Sequence, residues 1–329
     1  MSEIICTCDD PSFGHVGRPN CVITQKTLAK PIFRPRYRAN GTRNFLPTNA
    51  AGITLYNAEY GTSFTTIAEV MDSLVTNVSP LDAIYPGLRV ENATFPRTDT
   101  VYETASSGRK IKLEGVGGIR SWLMELWGDD AAHGVLRAYK QFGCSDLDVY
   151  YVDVAGNLWG IMDDSTSGMI RGYEMDTESF DSFIQYATDT TSQKVNLSWD
   201  LDALECEQNA WAITAEEYGK KFTTLNPLIQ AGASVDSPST TTIEQKVWAG
   251  FGTAGNKGDI VGLLDVNFIV TDAADTVFVH TGTPLTYSVD ANGFGTYLIT
   301  MDAVMAAGVW TVSTTATGYD VPDTTFTIV

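Results

Sequence analysis

The chain has 329 residues, 40 acids against 21 bases and a formal charge of −19, with a pI near 4.4. That acidity argues against tight nucleic-acid binding, which needs a basic face to neutralise phosphates. Hydrophobic residues make up 43% of the chain, enough for a proper core and too many for wholesale disorder. The length allows two ordinary domains and an extended segment.

Residues 1–45 stand apart in charge. They carry seven bases and three acids, a local charge of +4, which leaves −23 for the remainder. Pro11, Pro19, Pro31 and Pro35 disfavour helix, and Arg34-Pro35-Arg36-Tyr37-Arg38 reads as stiff, extended and cationic. This segment is expected to be an N-terminal arm that does not fold alone. The arginines at 34, 36 and 38 alternate and would share one face of an extended strand. With Arg43 they are the candidate inter-subunit contacts, guanidinium forks reaching an acidic neighbour. A solvated arm, or one touching its own domain, is the alternative. The start lacks the basic and apolar regions of a secretory signal, and no apolar run is long enough to span a membrane, so cytoplasmic synthesis is expected. Five cysteines, an odd number, speak against a disulfide framework.

Residues 46–230 read as an α+β domain. In Thr65–Thr76, Ile67, Val70, Met71 and Leu74 fall on one helical face. A second helix is expected over Ile119–Trp127, aligning Trp122, Leu123 and Leu126. Asp129 or Asp130 would cap a further turn through Val135, Leu136 and Tyr139. LDVYYVDV, the turn Ala155-Gly156-Asn157 and LWGIMD form the strongest hairpin signal. Strands are also expected at Met169–Met175, Phe180–Thr188 and Lys194–Leu201. In the last, Val195, Leu197, Trp199 and Leu201 alternate with polar residues. Residues 231–242 are small and polar and read as a linker. Beyond it, residues 243–329 hold short strand-like runs without helices: Ile260–Val270, Thr276–His280, Leu285–Asp290, Thr296–Met301, Val309–Thr315 and Thr324–Val329. That spacing indicates a β-sandwich. The expected fold is therefore mainly β, an antiparallel sheet or barrel with a flanking helix, followed by the sandwich.

The chemical motifs are sparse. Cys6, Cys8, His15 and Cys21 are the one group with metal-ligand chemistry, but the CxxC spacing of zinc sites is missing, so no metal is assigned. Asp163 and Asp164 are adjacent and would point to opposite strand faces, unlike a paired acid and base. Gly115-Val116-Gly117-Gly118 fails the dinucleotide register at Arg120. His133 and His280 sit beside no nucleophile pattern. No catalytic residue and no cofactor is assigned, and a non-enzymatic protein is expected.

Two stretches, CTCDDPSFGHVGRPNC and GNLWGIMDDSTSGMIRGYEMDTESFDSFIQYATDTTSQKVNLSWDLD, resemble virion structural proteins of phages infecting Bacteroidetes-type hosts. Together with the arm, the α+β domain and the terminal sandwich, the chain resembles a major tail tube protein of long non-contractile phage tails. The sandwich resembles the immunoglobulin-like domains appended to such tubes. The resemblance implies a homo-oligomer of six-membered rings whose sheets join around a channel, stacked through the arm and bound to other tail proteins of the virion. An acidic channel would let DNA pass without retaining it. Other virion parts (a capsid decoration, head fibre or baseplate component) share this composition. So does a glycan-binding attachment module using Trp248, Trp310 or Tyr319.

Overall fold

Cross-strand pairing dominates the described residues, and the fold is mainly β with antiparallel sheets. The computed structural model describes residues 25–329 except 78, 99–101, 105, 108–109, 113–118, 132, 163–167, 203–208, 251–256, 279–284 and 290–294. The chain divides into two units between Pro227 and Leu228.

The first unit begins with β1 (Leu28–Pro35), β2 (Leu46–Pro47), α1 (Ala50–Tyr60) and α2 (Ile67–Val75). Short strands follow: β3 (Tyr85–Pro86), β4 (Glu91–Thr94), β5 (Tyr102–Thr104) and β6 (Lys110–Lys112). Next come β7 (Ser121–Trp127), α3 (His133–Lys140), β8 (Leu147–Asp153) and β9 (Leu158–Met162). The unit closes with β10 (Met169–Arg171), β11 (Tyr173–Glu174), β12 (Asp181–Gln185), β13 (Lys194–Asp200), β14 (Ala210–Ile213) and α4 (Ala215–Tyr218). An eight-stranded sheet has the order β2-β10-β9-β8-β1-β3, with β11 also on β8 and β14 on β9. A four-stranded sheet has the order β12-β13-β7-β4, and β5 and β6 form a separate ribbon.

The larger sheet is buried on both faces. Phe33, Leu147, Val149 and Tyr151 enter the core shared with the four-stranded sheet. Ile32, Tyr150 and Val152 enter a second core, capped by α1, α2 and α4. Helix α2 buries the expected stripe of Ile67, Val70, Met71 and Leu74, and its start is fixed by a reciprocal Thr66–Glu69 capping box. In α1, Asn49 Oδ1 accepts from Gly52 N at 2.9 Å. Gly52 is needed because a Cβ there would lie 2.1 Å from the Gly168 carbonyl oxygen.

Two expectations fail in this unit. Residues 28–35 are not a free arm: β1 is buried throughout and lies between β8 and the two-residue marginal strand β3 of the larger sheet. Proline normally excludes such a place because it has no N–H for the ladder. Here Pro31 O accepts from Gly87 N at 2.8 Å, and Pro35 O accepts from Asn44 Nδ2 at 2.9 Å. Both carbonyls face away from β8. In an antiparallel strand the N–H of a residue points the same way as its C=O, so the missing donors are on that side too and the β8 ladder is kept. The second failure is Ile119–Trp127, expected as a helix and found as β7. Trp122, Met124 and Leu126 are buried with period two, opposite Trp199, Leu197 and Val195 of β13. Pairing with an already alternating strand overrides the helical propensity of Leu, Met and Glu.

The second unit contains β15 (Ile229–Asp236), β16 (Thr242–Gly250), β17 (Lys257–Asp259), β18 (Phe268–Asp272) and β19 (Val277–Phe278). It ends with β20 (Thr286–Val289), β21 (Gly295–Thr300), β22 (Gly308–Thr314), β23 (Tyr319–Asp320) and β24 (Thr324–Ile328). One sheet runs β20-β21-β16-β15-β23 with β17 on β16, and the other runs β19-β18-β22-β24. Ile243, Val247, Phe268, Val270, Tyr297 and Trp310 fill the core of this sandwich. The linker expected over 231–242 is mostly β15, which pairs with β16 from Ala231↔Ala249 to Asp236↔Glu244. Its small residues have a packing role: a Cβ on Gly232 would stand 2.7 Å from the Trp248 indole.

Candidate functional site: buried arginines and an open sheet

The four arginines expected to reach a neighbour are held inside their own unit. Arg34 is 0% exposed on β1. Its Nη1 donates to Phe45 O at 2.8 Å, and its guanidinium sits 5.9 Å from the Tyr60 ring centroid. Burial opposes its charge, while Tyr60, Tyr150 and Tyr56 around it favour the charge and hold its pKa above the usual arginine value. Arg38 pairs with Asp82 at 3.1 Å and lies 3.9 Å over the Tyr60 ring.

Arg36 and Arg43 converge on Asp148 of β8. Arg36 Nε is 3.1 Å from Oδ1 and Arg43 Nη2 is 3.0 Å from Oδ2. Arg43 Nη1 also reaches Glu174 at 2.6 Å, and Arg171 Nη1 reaches the same oxygen at 3.5 Å. Three guanidinia thus share two carboxylates. Burial pushes the Asp148 carboxyl above the ordinary aspartate range despite Arg43 and Arg36. Burial also raises Glu174, but Arg43, Arg171 and Arg36 outweigh it and hold that carboxyl low. The cluster ties the segment after β1 to β8 and β11, and Arg34, Arg36, Arg38 and Arg43, expected as inter-subunit contacts, each have a partner within their own unit. The charges are countable along the chain, but no local spacing places Asp148, distant in sequence, beneath them.

The four-stranded sheet has a different character. One face carries Trp122, Met124, Leu126, Val195, Leu197 and Trp199 into the core. The registers place Asp181, Phe183 and Gln185 of β12 on the other face, with Lys194, Asn196, Ser198 and Asp200 of β13 and Ser121, Leu123, Glu125 and Trp127 of β7. Phe183 is 51% exposed and Trp127 46%. Glu125 forms an ion pair with Lys194. Burial acts to raise its carboxyl, but hydrogen bonds from Lys194, Asn92 and Trp127 pull it below the usual range and keep it ionised. With Glu91 of β4, paired opposite Glu125, this face carries four acids and one lysine. Strands β12 and β4 form its two margins.

The other sequence candidates do not assemble into a site. Cys6, Cys8, His15 and Cys21, Gly115–Gly118, Asp163, Asp164 and His280 lie outside the described residues. His133 faces Tyr186, ring centroids 6.0 Å apart. Trp310, a candidate for sugar stacking, is 3% exposed in the sandwich core and donates to Ala306 O at 3.0 Å. Among the described residues no three His, Cys, Asp or Glu side chains are grouped to hold a metal, and no helix is long and apolar enough to cross a membrane. No family model matches this chain, and no curated protein matches it.

Proposed function

We propose that the chain is a structural subunit of a phage tail tube, assembling as rings by joining the four-stranded sheets of successive copies. The observation that carries this reading is the direction of the sheet margins. Every neighbouring pair in β12-β13-β7-β4 is antiparallel, so β12 and β4 run in opposite senses. A head-to-tail junction between β4 of one copy and β12 of the next then continues the antiparallel pattern, and a rotation that closes makes a ring. Exposed Phe183 on a marginal strand and, just beyond it, exposed Tyr186 are otherwise a liability that proteins blunt with charge. Among the described residues no further strand pairs with β12 or β4, and joining these margins would extend their ladders.

The face opposite the core would line the bore. Asp181, Asp200, Glu125 and Glu91 against Lys194 give it a negative balance, which repels a phosphate backbone and lets DNA slide without sticking. The copy-to-copy contact therefore rests on sheet edges and not on the arginines. Light scattering and negative-stain imaging of the full chain at rising concentration test this. Rings with a central channel are expected, and Phe183→Lys, which places charge on the edge strand, abolishes them. A monodisperse monomer under all conditions refutes the proposal, as does unchanged assembly of Phe183→Lys and Tyr186→Lys together.

A further inference from the structure

At one end of the core between the two sheets of the first unit lies an open cleft of about 450 Å³. Its charged lining is Lys26, Arg97 and Arg120, three bases and no acid, in a chain where acids outnumber bases 40 to 21. Arg97 and Arg120 face each other directly across an antiparallel bridge. Like charges so placed repel, and an anion bound beside them would offset that repulsion. Arg120 is partly tied down, its Nη2 3.5 Å from the Asp202 carbonyl oxygen. Lys26 and Arg97 are exposed.

The rest of the lining is aromatic. Trp122 and Tyr151 form a floor, ring centroids 5.6 Å apart and nearly perpendicular, with Tyr173 beside Trp122 at 5.5 Å. Phe95 stands over them, 5.3 Å from Trp122 and 5.7 Å from Tyr151, with nearly half its surface open. The floor is rigid: the Tyr151 hydroxyl donates to Lys26 O at 2.6 Å, which also holds the rim lysine's backbone in place.

We infer that this cleft binds a small organic anion carrying a flat ring or sugar ring, its phosphate or carboxylate between Lys26 and Arg97 and its ring against Phe95. Guanidinium and ammonium donors supply the anion contacts, and an exposed aromatic ring supplies the stacking surface. The shared chemistry belongs to mononucleotides and to acidic sugars. The site uses neither the arginine cluster nor the sheet margins, so a chain that never assembles would still bind.

Titration calorimetry of the full chain separates the sources, using adenosine monophosphate and glucuronate as probes. Adenosine, glucose and inorganic phosphate are the controls. Saturable binding of either anionic ring compound is expected, at least tenfold tighter than its neutral counterpart or phosphate alone. The affinity should weaken between 0.1 M and 1 M salt as screening shortens from about 10 Å to about 3 Å. Arg97→Glu and Lys26→Glu, at exposed positions, should each weaken binding about tenfold or more while leaving the thermal midpoint unchanged. Binding by one probe alone assigns the source. Absence of binding by both, equal binding of the neutral compounds or phosphate, or an affinity unmoved by Arg97→Glu overturns the inference.

Discussion

Replacing Asp148 by Asn keeps the shape of the side chain and removes its charge from beneath Arg36 and Arg43. The carboxylate is 3% exposed and accepts from both guanidinia at 3.0–3.1 Å, so solvent cannot replace what it supplies. Without it, Glu174 keeps its ion pairs with Arg36, Arg43 and Arg171. Breaking a buried pair by removing one partner costs about 3–5 kcal/mol. The remaining Glu174 contacts and the 2.7 Å bond from Arg36 to Met175 O hold the loss near the lower end, about 3 kcal/mol. For a unit of this size about 2–4 °C of midpoint is lost per kcal/mol, so a fall of about 6–12 °C is expected. Scanning calorimetry of the full chain resolves it, because the sandwich has its own core and its transition should not move. Raising salt to 1 M should leave the difference intact, since buried pairs are weakly screened. A fall below about 2 °C, or an equal shift of both transitions, would refute the cluster as the clamp of the first unit.

Two further predictions concern stability. Lys30 is buried with its Nζ donating to Leu225 O, and burial lowers its pKa to about 8. Below pH 8 both folded and unfolded chains carry the charge and the folded state bears its desolvation. As pH rises from about 8 towards 10.5 the folded chain sheds the proton first, so this group's contribution to stability increases. Lys30→Met should therefore be more stable relative to wild type at pH 7 than at pH 9.5, by an amount on the order of 2 kcal/mol in urea titrations; a constant difference would show that the lysine does not titrate in that window. Gly52→Ala drives a Cβ to 2.1 Å from the Gly168 carbonyl oxygen, a backbone atom that cannot swing aside. It should cost about 2–3 kcal/mol by denaturant unfolding, and a loss under about 0.5 kcal/mol would mean the helix start moves freely.

Elements whose own residues state their period were legible. The α2 stripe and the alternation of β13 read directly, because burial there follows local spacing, and the β8–β9 hairpin reads from its apolar runs and turn residues although β8 is buried on both faces. The elements that misled are those whose partners decide them. SWLMELW fits a helical face as well as a pleated one, and only the ladder to β13 selects the latter. AGASVD looks like a linker until Trp248 lies against Gly232. LAKPIFRP carries two prolines and two bases, and its place inside the sheet depends on the side to which Pro31 and Pro35 turn their carbonyls. The aromatic and basic cleft draws on segments before β1, after β4 and at the start of β7, a convergence that no spacing announces.

The position of β1 also constrains how the chain matures. Leu28 meets Asp153 and Pro35 meets Leu147, so β1 waits for a strand made much later. Contacts so distant in sequence slow folding, because a large loop must close before any pairing is gained. A truncation removing residues 1–38 would therefore take away an inner rib of the larger sheet along with the leading segment, exposing β8 and leaving an aggregation-prone product rather than a shortened subunit.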